Sequence, residues 1–306
     1  LKEGFDLIHV HNPPDTLFTI GLFYKLLGKK FIFDHHDLSP ELFLSRFSSK
    51  KSIIYEGLVL TERLSCKVAD RVIATNESYK EIEIKRDRVN LQDIFVVRNG
   101  PDLGRLRLVE PDPKLKGMSK IILGYVGDIN PQDGVDYLLR SIRQLVFDLK
   151  RTDFYCVIIG TGDALPDLEN MASKLEIKDY VWFTGYVPDK DMIRYLSTAD
   201  ICVDPDPSSP LNDRSTWIKI MEYMALKKPI IAFDLKETRF SAQDSAIYVR
   251  PNDELEFAKA IIALMDNPEL RKQLGEIGRK RVEEELAWKH TSKNLIKAYK
   301  DLLERN

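Results

Sequence analysis

The segment 213–232 carries the residue types whose spacing most clearly suggests chemistry. It predicts a polar loop, a helix that starts at Ser215-Thr216 and a buried strand, with Lys219 and Glu222 on one face of the helix. The free N–H groups and the dipole of a helix start attract an anion. A carboxylate further along the helix can accept hydrogen bonds from ribose hydroxyls. The segment therefore predicts a site for a nucleoside diphosphate.

A second set of polar residues follows two predicted strands near the start of the chain. His11 and Asn12 follow the first strand, and His36 and Asp37 follow the second. Ligands of open α/β sheets collect outside the carboxyl ends of the strands, so these residues are candidates for a binding site. Asp37 is placed to orient an imidazole. The neighbouring His35 is expected to be a satisfied core or capping residue.

The pair His9 and His11 raises the question of a metal site. Alternation along a strand puts both imidazoles on the same face. No Cys, Asp or Glu nearby in the sequence completes a ligand set at the usual spacing. We therefore expect no metal.

Length and composition predict two soluble domains. The chain has 306 residues, of which 43% are hydrophobic and 31% are charged, and its net charge of -2 gives no general attraction to nucleic acid. The three cysteines lie far apart in apolar segments, which is typical of buried thiols in a reducing compartment. No apolar run approaches the roughly 20 residues that span a bilayer, so we expect a cytoplasmic protein.

Short apolar runs alternate with helical stretches, which predicts parallel α/β sheets. A linker is expected near 100–118, where Pro, turn formers and charges cluster without periodicity. The predicted strands of the first part are 6–10, 30–34, 71–75 and 94–97. Those of the second part are 121–127, 154–160, 180–184, 201–204, 229–233 and 246–249.

Two motifs carry a resemblance to a known family. They are Asp-His-His-Asp-Leu-Ser-Pro-Glu at 34–41 and Lys-Ile-Met-Glu-Tyr-Met-Ala at 219–225. With them the chain resembles the retaining glycosyltransferases of family four, of the bacterial type used in cell-surface polysaccharide assembly. The resemblance implies the GT-B fold, with two Rossmann-like doubly wound sheets facing a cleft.

The resemblance also implies a domain plan. Residues 1–110 would form a partial acceptor domain that lacks its opening strands, and residues 118–285 would form the nucleotide-sugar donor domain. The helix 286–306 would cross back onto the first domain. The implied reaction moves a sugar from a nucleotide-sugar to a glycan or lipid-linked acceptor, with retention and without a bound metal or cofactor.

Residue roles follow from the resemblance as expectations. His36 would face the reacting sugar as the catalytic residue, with His11, Asn12 and Asp37 on the acceptor side. Glu222 would hold the ribose. The donor would also contact a further set of residues, namely Arg214, Ser215, Thr216, Lys219, Gly127, Asp128, Gly160 and Tyr186.

Three positions depart from the family. An acidic position of the family is occupied here by Arg214, which could clamp a phosphate or a carboxylate-bearing sugar. The Arg and Lys that the family carries in the first turn of the donor domain are replaced by Asp128 and Asp133. Two acids do not hold a diphosphate, so the cationic role is expected to move to Arg214 and Lys219.

The departures leave other functions open. One is a non-catalytic GT-B-like protein that binds a nucleotide or a partner. An epimerase would need acid/base side chains on both sides of the sugar. A phosphorylase would need a phosphate site or a cofactor lysine. The sequence shows neither set of residues. Basic and large apolar residues also mix in 44–55, as in a patch on an anionic membrane at the inner face of the plasma membrane. An ordinary amphipathic helix is the favoured alternative there.

Overall fold

The protein forms two compact units in a computed structural model that describes residues 4–47 and 52–304. The first unit contains the described residues as far as Asn99, the short segment Arg214–Thr216, and the described residues from Trp288 onward. The second unit contains Gly100–Asp213 and Trp217–Ala287. The N-terminal part of the first unit thus ends at Asn99 rather than at residue 110, and the predicted linker lies in the second unit.

Each unit contains one parallel sheet, and all ten predicted strands are present. The first sheet has the order β1-β2-β3-β4 and the second has the order β10-β9-β8-β5-β6-β7. The strands β1 to β10 are Leu7–His11, Lys30–His35, Arg71–Ala74, Ile94–Val96, Ile121–Val126, Phe154–Ile159, Val181–Phe183, Ile201–Asp204, Ile230–Phe233 and Ala246–Val249.

Helices connect the strands, as parallel sheets require. Several begin at a side-chain cap; the Asn76 side chain, for example, accepts a hydrogen bond from the N–H of Tyr79 at the start of α4. The helices α1 to α13 are Phe18–Leu26, Ser39–Arg46, Ile53–Val68, Glu77–Lys85, Pro113–Lys116, Val135–Arg143, Leu165–Lys174, Asp189–Thr198, Ile218–Ala225, Lys236–Ala242, Glu254–Met265, Pro268–Arg281 and Trp288–Glu304.

The second sheet is buried on both faces. Along β5, Ile121 and Leu123 pack into the core on one face, whereas Ile122 packs into a separate core on the other. This alternation explains why the strand is apolar throughout, since both of its faces are covered by helices. In the first unit α13 lies on the sheet, where Leu302 packs against Ile73.

Glycine allows the loops at one edge of the second sheet to meet. Gly160, directly after β6, has a φ of 136° and donates its N–H to the carbonyl oxygen of Gly185 at 3.2 Å. A Cβ at Gly160 would lie only 1.9 Å from the carbonyl oxygen of Gly127. The loops that follow β5, β6 and β7 are therefore held together by a backbone contact that leaves no room for a side chain.

We expect Gly160→Ala to destabilise the protein by about 2 kcal/mol or more, because the methyl group meets backbone and the φ is unfavourable. Urea denaturation followed by circular dichroism measures the change. The matched control is Gly57→Ala in α3, where a Cβ meets nothing within 4 Å and alanine is the better helix former. Equal stability of the two variants would contradict the close approach.

Candidate donor and acceptor sites

The four predicted donor residues in the loops lie at the carboxyl edge of the second sheet. Gly127 and Asp128 follow β5, Gly160 follows β6, and Tyr186 lies beside Gly185 after β7. The backbone contacts of Gly160 join these loops directly. The Tyr186 ring is 81% exposed, so its face is available to another planar group.

The acid at position 133 has a structural role. Asp133 is buried, and its carboxylate accepts a hydrogen bond from the N–H of Asn130 at 2.9 Å in a reciprocal capping box. Burial raises the pKa of this carboxyl. Asp133 therefore satisfies a backbone donor in the turn.

The segment around Ser215 differs from the expectation. Helix α9 begins at Ile218, not at Ser215-Thr216. The Asn76 side chain donates to the carbonyl oxygen of Arg214 at 2.8 Å and to the hydroxyl of Thr216 at 2.9 Å, within the first unit. The amides of Ser215 and Thr216 are consequently not the N-terminal amides of a helix. The phosphate role of Arg214 stays a prediction.

Lys219 also departs from its predicted role. Its side chain is 7% exposed, and Nζ lies 3.2 Å from Oδ1 of Asp204 and 2.7 Å from Oδ2 of Asp206. Burial alone would lower the pKa of Lys219, but the charges of Asp206 and its neighbours outweigh burial and raise it. The ammonium group is thus engaged in a buried ion cluster, and the prediction that it holds a diphosphate is not supported by this geometry.

We expect Lys219→Met to destabilise the second unit by about 3–5 kcal/mol, because it leaves Asp204 and Asp206 buried without their cation. Thermal and urea unfolding measure the effect. The control Lys116→Met removes a half-exposed lysine that pairs with Asp200 on the surface, and it should change stability by less than about 1 kcal/mol. A similar small change in both variants would show that the cluster does not stabilise the unit.

Glu222 is held by a residue that sequence analysis did not identify. Its side chain is 13% exposed, and Oε1 accepts a hydrogen bond from Nη2 of Arg105 at 2.7 Å. Arg105 also donates to Asp189. Burial alone would lower the pKa of Arg105, but the hydrogen bond to Glu222 and the nearby carboxylates raise it. Arg105 lies in the segment predicted as a linker, where no periodic signal marks it.

In the first unit the ends of β1 and β2 bring three histidines to one carboxylate. The register places His11 beside Asp34. Oδ2 of Asp34 lies 3.0 Å from Nε2 of His9 and 3.3 Å from Nδ1 of His11, and Oδ1 lies 3.2 Å from Nε2 of His36. Burial alone would raise the pKa of Asp34, but the close approach of His36 and His9 lowers it to about 2.

Asn12 holds the backbone that carries His36. Its side-chain oxygen accepts hydrogen bonds from the N–H groups of His36 at 2.7 Å and Asp37 at 3.2 Å, and its amide donates to the carbonyl oxygen of Asp37 at 2.7 Å. The Asp37 residue is exposed, and Asp34 contacts His36 instead. The carboxylate that orients this imidazole is therefore Asp34.

His35 is a core residue, as expected. It is fully buried, with Nδ1 3.2 Å from Glu83 and Nε2 3.4 Å from Glu62. Burial would lower the pKa of His35, but the two glutamates raise it well above its usual value. The ion pairs of His35 stabilise the first unit, and a fully buried imidazole is not available to a substrate.

The suggested membrane patch lies partly outside the described residues, because 48–51 are not among them. On either side of this gap, Phe47 and Ile53 are exposed. Within residues 4–47 and 52–304, no helix combines the length and the apolar character needed to cross a bilayer.

Two family models match successive parts of the chain. The model described as Glycosyltransferase Family 4 matches residues 1–105, and the model described as Glycosyl transferases group 1 matches residues 120–267. An uncharacterized glycosyltransferase of Methanocaldococcus jannaschii is 26% identical over 99% of this chain and 76% of its own length. Alpha-D-kanosaminyltransferase of Streptomyces kanamyceticus is 31% identical over 51% of this chain and 39% of its own length.

Solved structures share the architecture. Sucrose-phosphate synthase from Thermosynechococcus elongatus superimposes with a TM-score of 0.79 at 20% identity, covering 99% of this chain and 75% of that one. HepE of Anabaena in complex with UDP gives a TM-score of 0.78 at 14% identity, covering 97% of this chain and 79% of that one. The predicted α/β class with the GT-B fold is confirmed, and the protein is a glycosyltransferase. Its two parts are similar to the Glycosyltransferase Family 4 model and the Glycosyl transferases group 1 model, in that order.

Proposed function

We propose that this glycosyltransferase moves a sugar from a nucleotide-sugar to a glycan or lipid-linked acceptor in polysaccharide assembly, with retention of configuration. The observation that carries the proposal is the position of Glu222. This carboxylate lies on α9, mostly shielded from water and fixed by Arg105. A fixed, shielded carboxylate is suited to binding the vicinal hydroxyls of a ribose.

The hydrogen-bonding capacity of Glu222 supports this role. One oxygen, Oε1, accepts from Arg105. An ionised carboxylate has about four acceptor sites, so Oε2 can still accept hydrogen bonds from two ribose hydroxyls. Because the side chain is held by a charged partner, little rotamer entropy remains to be lost on binding.

The rest of the donor would lie along the same sheet edge. Gly127 and Gly160 have no side chains, which allows a diphosphate to approach the backbone closely. Arg105 is 39% exposed at its side chain and has five N–H donors, so we assign it the phosphate side. Tyr186 would stack on the base. Support for a uridine nucleotide comes from HepE of Anabaena, which has been solved in complex with UDP and with UDP-glucose.

In the first unit, we propose that His36 faces the reacting sugar. In a front-face transfer the leaving diphosphate takes the proton of the acceptor hydroxyl, so no carboxylate nucleophile is needed. The protein then acts by positioning the two substrates and stabilising charge. His36 suits this work because its ring is fixed by Asp34 and its backbone by Asn12.

The non-catalytic alternative loses part of its basis. It rested on acids that replace the family's cations, and Asp133 has a capping role that does not require a lost site. Nucleotide binding without turnover would favour this alternative. Release of UDP, GDP or ADP from the matching nucleotide-sugar, with an α-linked product from an α-linked donor by proton NMR, would favour the enzyme.

We expect Glu222→Ala to weaken nucleotide binding by about 1–3 kcal/mol, through loss of charge-assisted hydrogen bonds. Thermal-shift titration with UDP, GDP and ADP identifies the base, and isothermal calorimetry gives the affinity. The control Glu276→Ala removes an exposed carboxylate on α12 that pairs with Lys227, and it should leave affinity unchanged. Unchanged nucleotide affinity in Glu222→Ala would remove Glu222 from the site.

A further inference from the structure

We propose that His9, His11 and Asp34 form a binding site for one divalent transition-metal ion of the Zn²⁺ type. The three residues lie on adjacent parallel strands at the carboxyl edge of the first sheet. One ligand atom from each lies within 4.8 Å of the other two. The site goes beyond the proposed sugar transfer, in which no step requires a metal.

The distances fit tetrahedral coordination. Zn²⁺ binds imidazole nitrogen and carboxylate oxygen at about 2.0–2.2 Å, which puts neighbouring ligand atoms of a tetrahedron about 3.3 Å apart. The Oδ2 of Asp34 lies 3.0 Å from Nε2 of His9 and 3.3 Å from Nδ1 of His11. The two nitrogens are at most 4.8 Å apart. The rings of His9 and His11 stack with an interplanar angle of 14°, so the exposed ring of His11 turns when both nitrogens bind one ion.

Two of the ligands differ in exposure, because His11 is open to solvent whereas Asp34 is buried. The side chain of His11 is 58% exposed, so it can rotate, and it leaves a path for an ion from solvent. Asp34 is 10% exposed at its side chain, and its Oδ1 lies 3.2 Å from Nε2 of His36. A buried carboxylate that is surrounded by imidazoles is suited to a cation.

The ring of His9 is fixed from outside the cluster. Its Nδ1 lies 2.6 Å from the hydroxyl of Tyr299 on α13, within the first unit. Metal-ligating histidines usually engage their second ring nitrogen in such a contact, which fixes the tautomer and the ring orientation. When Nδ1 donates to Tyr299, the lone pair of Nε2 points toward Asp34, which is the tautomer that binds a cation between the two groups.

A third imidazole completes the surroundings. The Nε2 atom of His36 lies 2.9 Å from Nδ1 of His11. Two imidazole nitrogens at this distance need a proton or a cation between them, because each neutral ring presents a lone pair. His36 can therefore hydrogen-bond a metal-bound water. Imidazole-rich sites favour Zn²⁺ and its transition-metal neighbours over Mg²⁺ or Ca²⁺.

No metal was expected from the sequence, because no Cys, Asp or Glu close to His9 and His11 along the chain completes a ligand set. The missing carboxylate is 25 positions from His9 in the chain and comes from the adjacent strand. A carboxylate is therefore close to both histidines in the folded chain, although none is close to them in the sequence.

The test is calorimetric titration of the 306-residue chain with Zn²⁺, after chelator treatment and removal of any histidine tag. We expect one saturable site per chain. Co²⁺ in the same site should give the strong visible absorption of a four-coordinate ion. The His11→Gln variant should bind Zn²⁺ at least tenfold more weakly and lose this absorption. The control His290→Gln changes a histidine of α13 that is outside the cluster, and it should bind as the parent does.

Absence of saturable Zn²⁺ binding would overturn the proposal, as would equal affinity in His11→Gln and the parent. A loss in His290→Gln equal to that in His11→Gln would also overturn it, because the binding would then be non-specific. Circular dichroism confirms that each variant is folded, and the exposed position of His11 favours this. Nucleotide affinity, measured in the same samples, reports on the proposed donor site independently.

Discussion

The placement of every candidate functional residue depends on one constraint, the burial of the parallel sheets. Strands such as β5 are covered by helices on both faces, so polar side chains have no place along them. Polar and charged groups therefore collect mainly near the ends of the strands. Parallel strands all end at the same edge, which brings side chains from distant parts of the sequence together. The donor loops and the histidine cluster both lie at such an edge.

Burial also decides which charged groups can meet a ligand. Lys219 and Glu222 are three positions apart on the same helix, yet their surroundings differ. Lys219 neutralises two buried aspartates, whereas Glu222 is partly exposed and paired with Arg105. An ammonium that is enclosed by two carboxylates cannot leave them for a phosphate without exposing two uncompensated charges. The same reasoning assigns Asp133 to the turn, where it caps a backbone donor.

The first unit shows how a hydrogen-bond network prepares a site. Asn12 fixes the backbone at His36 and Asp37, while Asp34 contacts the rings of the histidines. Asp34 lies on β2, and Asn12, His36 and Asp37 directly follow β1 and β2, where hydrogen bonds to Asn12 fix the backbone. Such positioning is what binding and catalysis require. The imidazoles are thus arranged before any ligand arrives, whether that ligand is a sugar or a metal ion.

The sequence by itself determined the architecture. All ten strands and the two-sheet plan follow from apolar periodicity, which is a local property of the chain. Local patterns and the family resemblance also predicted polar residues at strand ends and Glu222 beside the buried face of its helix, and the roles of these residues stay proposals. Only the tertiary structure decided which groups are paired. Arg105 lies 117 positions from Glu222 and Asp34 lies 25 positions from His9, and no local pattern links them. Charge pairing depends on distances across the fold, whereas periodicity depends only on neighbours in the chain.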